Sequence, residues 1–140
     1  MTHQEAALTA YIGLLRTANQ LAQMAKADVR CYGLNITEFS VMELLYHRGT
    51  QATQAIKEKI LIASSTTTYV IDQLEKKGHV QRQHSPHDQR ISLVSLTESG
   101  KTLMDAIFPS HAQQIEQLFD AISTEELTTL KSTLRKIKQP

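Results

Sequence analysis

The sequence predicts a mostly α-helical protein of the α+β class, with one β-hairpin placed among several helices. Two observations predict this class. Long stretches at both ends repeat apolar residues at intervals of three and four, which is the period of an amphipathic helix. Residues 79–96 instead contain two short runs with β-type alternation on either side of a proline-containing loop, which is typical of an antiparallel hairpin.

The size and composition indicate one ordinary globular domain. The chain has 140 residues, of which 41% are hydrophobic and 21% are charged. No apolar run approaches the roughly 18 residues that a membrane span needs, and no secretion signal is visible before Arg16. The single cysteine, Cys31, cannot form an internal disulfide. We therefore expect a cytoplasmic protein with no membrane partner.

The first half of the chain predicts four helices. Residues 5–30 carry a continuous apolar stripe, and a second helix begins at a Thr37 N-cap and ends at Gly49. A short amphipathic helix is expected over residues 53–60 and a longer one over 64–78, with three residues between them. Two helices joined by so short a turn form a helix-turn-helix.

The second half predicts the hairpin and two further helices. Strands are expected over residues 79–84 and 91–96. Thr97 caps a long helix that runs to about residue 120, and Pro109 should kink it because proline lacks the N–H of the i−4 hydrogen bond. A capping box over residues 123–126 opens the last helix.

The fourth helix begins with hydroxyl-bearing residues, which are poor helix formers. The candidate DNA-contacting residues on this helix are Ser64, Ser65, Thr67, Thr68 and Tyr69. Short hydroxyl side chains allow close approach to a duplex and bond to phosphates or base edges. The alternative is an ordinary Ser/Thr cap followed by solvated surface.

A hairpin that directly follows a helix-turn-helix predicts a winged helix-turn-helix with a two-stranded wing. In this fold the second helix of the motif enters the major groove and the wing reaches toward the minor groove. Arg90 at the tip suits a narrow, electronegative groove, and Asp88 would hold its guanidinium by charge-assisted hydrogen bonds. Arg82 and His84 complete the candidate wing contacts. The alternative for the pair at the tip is a surface ion pair of little consequence.

The charge distribution agrees with an anionic partner. The whole chain has a net charge of +1, but residues 48–90 hold seven basic and four acidic residues, a net charge of +3. Chance is the alternative explanation for an asymmetry of this size. We find no nucleophile–base pair, no complete metal-ligand set and no phosphate-binding glycine loop, so we expect no enzyme activity, cofactor or metal.

The chain resembles the MarR family of bacterial transcriptional regulators in the stretch IKEKILIASSTTTYVIDQLEKKGHVQRQHSPHDQRISLVSLTESGKTL. The segment VIDQLEKKGHVQR and the order D-x-R, strand, LTESG carry the likeness, and GLNITEFSVMELL resembles the second helix of the family. The resemblance implies a winged-helix homodimer in which each protomer binds half of a pseudo-palindrome. Gln89, Ser64 and Tyr69 stand where many members have arginine, which predicts a shallower salt dependence of DNA binding.

The resemblance also implies the domain organisation. Residues 1–140 form a single domain, with dimerisation helices over 1–31 and about 98–140 and a DNA-binding lobe over about 37–96. The apolar stripes of the terminal helices support a dimer independently, since no further element of the chain covers them. We expect a repressor that a small aromatic or phenolic effector releases from double-stranded DNA.

The candidate effector pocket is formed by Tyr11, Arg16, Tyr46 and His111, with Arg16 as the counter-ion of an aromatic carboxylate. Two alternatives stay open. One is a winged-helix protein–protein adaptor that does not bind DNA. The other is a thiol-based redox-sensing regulator that uses Cys31, which follows the basic residue Arg30.

Overall fold

The computed structural model describes residues 1–60 and 64–137, and for residues 64–66 it describes the backbone alone. It confirms the mostly helical class with a small antiparallel sheet. The elements in chain order are α1 (His3–Arg30), α2 (Ile36–Arg48), β1 (Gln51–Ala52), α3 (Thr53–Lys59), α4 (Ser64–Lys76), β2 (Val80–His84), β3 (Ser92–Leu96), α5 (Glu98–Leu118) and α6 (Thr124–Arg135). Within the described ranges, no helix combines the length and apolarity that crossing a membrane requires.

The chain forms two compact units, residues 1–106 and residues from Ile107 onward, and α5 contributes to both. The core of the first unit is built from α2, α3, α4 and the hairpin. Its buried side chains include Phe39, Met42, Ile56, Val70, Ile71, Leu74, Val80 and Val94. The predicted buried face of α4 is thereby confirmed, since Val70, Ile71 and Leu74 are at most 6% exposed.

The sheet has three strands in the order β1-β3-β2. The hairpin pairs β2 with β3 from Val80 opposite Leu96 to His84 opposite Ser92, close to the predicted strands. The two-stranded wing is therefore confirmed, and an unpredicted third strand, β1, adds to the other edge of β3 with Gln51 opposite Val94. A strand of two residues shows no alternation, so only the pairing partner reveals it.

The start of α2 corrects the predicted cap. Asn35, not Thr37, is the N-cap: its side chain accepts a hydrogen bond from the backbone N–H of Glu38 at 2.7 Å. The Glu38 carboxylate in turn accepts a hydrogen bond from the Asn35 N–H at 2.9 Å, which completes a capping box. The same carboxylate, almost fully buried, pairs with the Lys77 ammonium at 2.8 Å and so ties α2 to the end of α4. The predicted box at Ser123 is confirmed.

The base of the hairpin meets the end of α4 and the start of α5 at one junction. Gly78 has a φ of 79° and ends α4, with its N–H bonded to the Glu75 carbonyl and the next N–H bonded to that of Leu74. The Thr97 hydroxyl donates to the Gly78 carbonyl at 2.6 Å and accepts from the Gly100 N–H at 3.0 Å. Thr97 is therefore the cap of α5, as the sequence predicts.

At Gly100 the backbone of α5 lies directly against the backbone of His79. A Cβ at this position would overlap the carbonyl oxygen of His79, which already accepts the Thr97 N–H at 3.0 Å. The contact is between two backbone segments, so no side chain can rotate away to make room. Glycine is therefore required here by space and not by a special φ.

We expect Gly100→Ala to lower the free energy of unfolding by about 1–3 kcal/mol, because the methyl group forces the first turn of α5 away from the hairpin. Gly13→Ala is the matched control, since Gly13 lies inside α1 with open space around its Cβ position. That substitution should be neutral or stabilise the protein by up to about 1 kcal/mol. Urea denaturation of both variants measures the difference, and equal effects would contradict the packing argument.

Candidate nucleic-acid interface

The exposed side of α4 presents two of the predicted contact residues. Thr68 is exposed, and Tyr69 is 62% exposed although its ring is large and mostly apolar. Ser64 and Ser65 belong to the first turn of α4, but their side chains lie outside the described residues. A hydroxyl and an aromatic phenol side by side can bond to phosphate oxygens or to base edges.

Thr67 is a correction. Its side chain is fully buried, so the prediction that it contacts DNA is wrong. The neighbouring Val70, Ile71 and Leu74 bury one side of α4, and Thr67 lies three residues before Val70 on that same side. A run of hydroxyl residues hides the helical period, and only packing reveals which of them faces the core.

The tip of the wing carries a preorganised arginine. Nε and Nη2 of Arg90 each donate to the Asp88 carboxylate at 3.1 Å, and the Arg90 backbone N–H adds a third bond at 3.0 Å. The predicted grip of Asp88 on Arg90 is confirmed. The Arg90 side-chain bonds, followed by its backbone bond, hold the pKa of Asp88 below its ordinary 3.8, so the carboxylate stays ionised. The Arg90 side chain is nevertheless 90% exposed.

A cleft of about 400 Å³ lies beside this arginine, between α3, α4 and the wing. Three cationic side chains line it, those of Lys57, Arg82 and Arg90, together with Thr68. Lys57 was missed as a candidate contact, because its position on a short helix becomes meaningful only when α3 lies next to the wing. Lys57 and Arg90, next to the exposed Thr68 hydroxyl, give this cleft the chemistry that attracts phosphate.

Comparison with known proteins agrees with this geometry. The family model described as MarR family matches residues 34–92. The regulator MhqR of Bacillus subtilis, an HTH-type transcriptional regulator, is 39% identical over 133 residues, which are 95% of this chain and 92% of MhqR.

Two further relatives extend the comparison. The transcriptional repressor MprA of Escherichia coli is 28% identical over 85% of this chain and 69% of its own. The structure of BpsR of Bordetella bronchiseptica, described in a study of how 6-hydroxynicotinic acid regulates its DNA binding, superposes with a TM-score of 0.76 at 25% identity. It covers 91% of this chain and 97% of BpsR.

The chain belongs to the MarR family. It is thus an HTH-type transcriptional regulator with a winged-helix fold, and the family is one of regulators, not of enzymes.

Within this MarR fold, Arg82 and His84 occupy different surroundings. His84 is exposed at the end of β2. Arg82 is paired with two carboxylates of α4, those of Asp72 at 2.7 Å and Glu75 at 3.0 Å. The exposure of His84 allows the expected DNA contact. The pairing of Arg82 with α4 indicates a different role for that residue.

The candidate effector residues are distributed over three helices. Tyr11 and Arg16 are exposed on α1, and His111 is buried on α5 with its ring centroid 6.2 Å from that of Phe108. Tyr46 on α2 donates a 2.6 Å hydrogen bond to Asp105. This bond, with smaller contributions from burial and charge, raises the pKa of the phenol above 10.0. The effector pocket stays a prediction.

Cys31 follows α1 and is exposed, and its thiol donates to the Asp28 carbonyl at 2.9 Å. Among the described residues, no three His, Cys, Asp or Glu side chains converge in a way that would hold a metal ion. A redox role for Cys31 also stays a prediction.

Arg90→Ala and Thr68→Ala should affect DNA binding differently. Arg90→Ala should weaken binding to all duplexes and reduce the slope of log affinity against log salt by about 1. Thr68→Ala should cost about 1–3 kcal/mol on the correct operator and less on random DNA. Fluorescence anisotropy at several salt concentrations measures both effects on a duplex from upstream of this protein's own gene and on a random duplex.

Lys26→Ala, which removes an exposed charge from α1, is the control and should leave affinity and slope nearly unchanged. Equal losses on both duplexes for Arg90→Ala and Thr68→Ala would contradict this division of roles.

Proposed function

We propose that this regulator binds a pseudo-palindromic operator as a homodimer, with α4 as the recognition helix in the major groove and the wing along the minor groove. The wing tip carries the proposal. Arg90 is 90% exposed yet held by two side-chain hydrogen bonds to Asp88. A guanidinium has five N–H donors, of which Asp88 takes two. An arginine that is already oriented loses less conformational freedom when it enters a groove.

The dimer is supported by apolar surface on the terminal helices. Helix α1 has 28 residues, and Val29 alone among them is buried. It exposes Leu8, Tyr11, Ile12 and Leu15, which lie on one face. Helix α6 buries none of its residues. We therefore assign dimerisation to residues 1–31 and about 98–140, and DNA binding to the lobe over about 37–96.

The regulator acts as a repressor in the cytoplasm and leaves DNA when a small aromatic or phenolic effector binds. The description of MprA as a repressor supports the sign of regulation, and the response of BpsR to 6-hydroxynicotinic acid supports an aromatic acid. An effector releases the operator only if it binds the free dimer more tightly than the DNA-bound dimer. Arg16, exposed on α1, is the proposed counter-ion of the carboxylate.

Binding to the upstream duplex should be tight and should weaken steeply with salt. In an anisotropy titration, a panel of hydroxylated aromatic carboxylates and phenols should include a compound that releases the duplex. Arg16→Ala should still bind DNA but should lose this release by carboxylates. No binding by the wild type at low salt, on this duplex or on a random genomic pool, would overturn the function and favour the adaptor. Release by thiol oxidants alone, abolished in Cys31→Ser, would favour the redox alternative.

Leu15→Glu should dissociate the dimer, because it places a charge in the apolar face of α1. Thr17→Glu is the matched control, since Thr17 lies on the opposite side of the same helix and is also exposed. Analytical ultracentrifugation should give a dimer for the wild type and for Thr17→Glu, and monomer for Leu15→Glu. A wild type that is monomeric at micromolar concentration would contradict the assigned interface, as would a dimeric Leu15→Glu variant.

A further inference from the structure

Arg82 stands at the base of the wing and faces the protein, in contrast to Arg90 at the tip. In the register of the hairpin it lies opposite Val94, which is fully buried, so both side chains are on the core-facing side of the sheet. The Arg82 side chain is 24% exposed, against 90% for Arg90. The two arginines of the wing therefore face different surfaces.

The Arg82 contacts extend over two turns of α4. Nη1 lies 2.7 Å from Asp72 Oδ1 and 3.0 Å from Glu75 Oε1. Nη2 donates a longer bond, 3.4 Å, to the Thr68 carbonyl, and the Arg82 backbone N–H donates to Glu75 Oε2 at 3.3 Å. The guanidinium holds its donors in a rigid planar fork, so these contacts determine the direction of the side chain and of the strand that carries it.

The charge of this cluster is unfavourable for direct contact with DNA. One arginine and two carboxylates carry a net charge of −1 in the lobe that presents Thr68 and Arg90. Carboxylates within a Debye length of phosphates, about 8 Å at physiological salt, repel them. A surface selected only for attraction to DNA would lack Asp72 and Glu75. Their presence is explained if they fix geometry.

We propose that Arg82 is a positioning residue that holds the wing at a set distance and angle from the recognition helix through Asp72 and Glu75. The inference rests on the proposed DNA-binding function. Thr68 and Arg90 must reach one duplex together, and they lie on different elements. The Arg82 contacts join these elements directly, so that the major-groove and minor-groove contacts form in one docking step without further ordering.

Removing the acids gives the sharpest test, because a positioning role and a phosphate-binding role of Arg82 predict opposite changes in DNA affinity. If Arg82 positions the wing, Asp72→Asn and Glu75→Gln each weaken binding to the upstream duplex by about threefold or more, although each removes a negative charge. If Arg82 instead binds phosphate, the same variants leave it unpaired and tighten binding. Glu58→Gln, which removes an exposed acid from α3, is the control and should leave binding equal or slightly tighter.

Variants of Arg82 itself provide a second readout. Arg82→Lys keeps the charge but cannot contact Asp72, Glu75 and the Thr68 carbonyl together, so it should weaken binding about as much as Arg82→Gln. Neither variant should change the slope of log affinity against log salt. A slope lowered by about 1 in Arg82→Gln, together with near-normal binding by Arg82→Lys, would identify a phosphate contact and overturn the proposal.

Amide hydrogen exchange without DNA tests the positioning separately from DNA binding. In Arg82→Gln the amides of residues 83–91 should exchange at least about threefold faster, while those of α2 keep the wild-type rate. Unchanged exchange rates over residues 83–91 in Arg82→Gln would overturn the proposal even if this variant bound DNA more weakly. A wild type that binds no duplex would instead overturn the proposed function, and the exchange data would still decide whether Arg82 fixes the wing. Thermal unfolding of each variant identifies losses caused by global destabilisation.

Discussion

The close contact between Gly100 and the His79 carbonyl is the constraint on which the DNA-facing geometry depends. At this point α4 ends at Gly78, the hairpin begins, and α5 starts from the Thr97 cap, all linked by backbone and hydroxyl hydrogen bonds. Burial, followed by the charge of Lys77, lowers the pKa of the His79 imidazole, which therefore stays neutral at neutral pH. The neutral His79 imidazole adds no further charge to this junction, where the buried Glu38 carboxylate already pairs with Lys77.

The wing combines two arginine–carboxylate arrangements with different consequences. At the tip, Asp88 holds one arginine that remains almost fully exposed. At the base, Arg82 is directed inward to α4 by two acids. Both arrangements are partly solvated, so they contribute more to the orientation of the arginines than to the free energy of unfolding. The same residue types therefore leave one arginine exposed at the tip of the hairpin and direct the other inward at its base.

Several features were predictable because they depend on local periodicity or local chemistry. The helices and the hairpin follow from apolar spacing and turn residues, and the Ser123 and Thr97 caps follow from side chains next to the helices that they cap. The Asp88–Arg90 grip was also predictable, since the two residues are only two positions apart. The Asn35 cap was missed although Asn-x-x-Glu is itself a capping-box signal.

Other features were decided only by tertiary structure, because they depend on residues far apart in the chain. The burial of Thr67, the β1–β3 pairing and the placement of Lys57 beside the wing all require a neighbouring element. Arg82 shows the difference most clearly: as a basic residue on a predicted wing it suggested a DNA contact, until Asp72 and Glu75 were found beside its guanidinium. Sequence alone determined the helices, the hairpin and the resemblance to the family, whereas packing determined which charges face outward, since direction depends on what each side chain packs against.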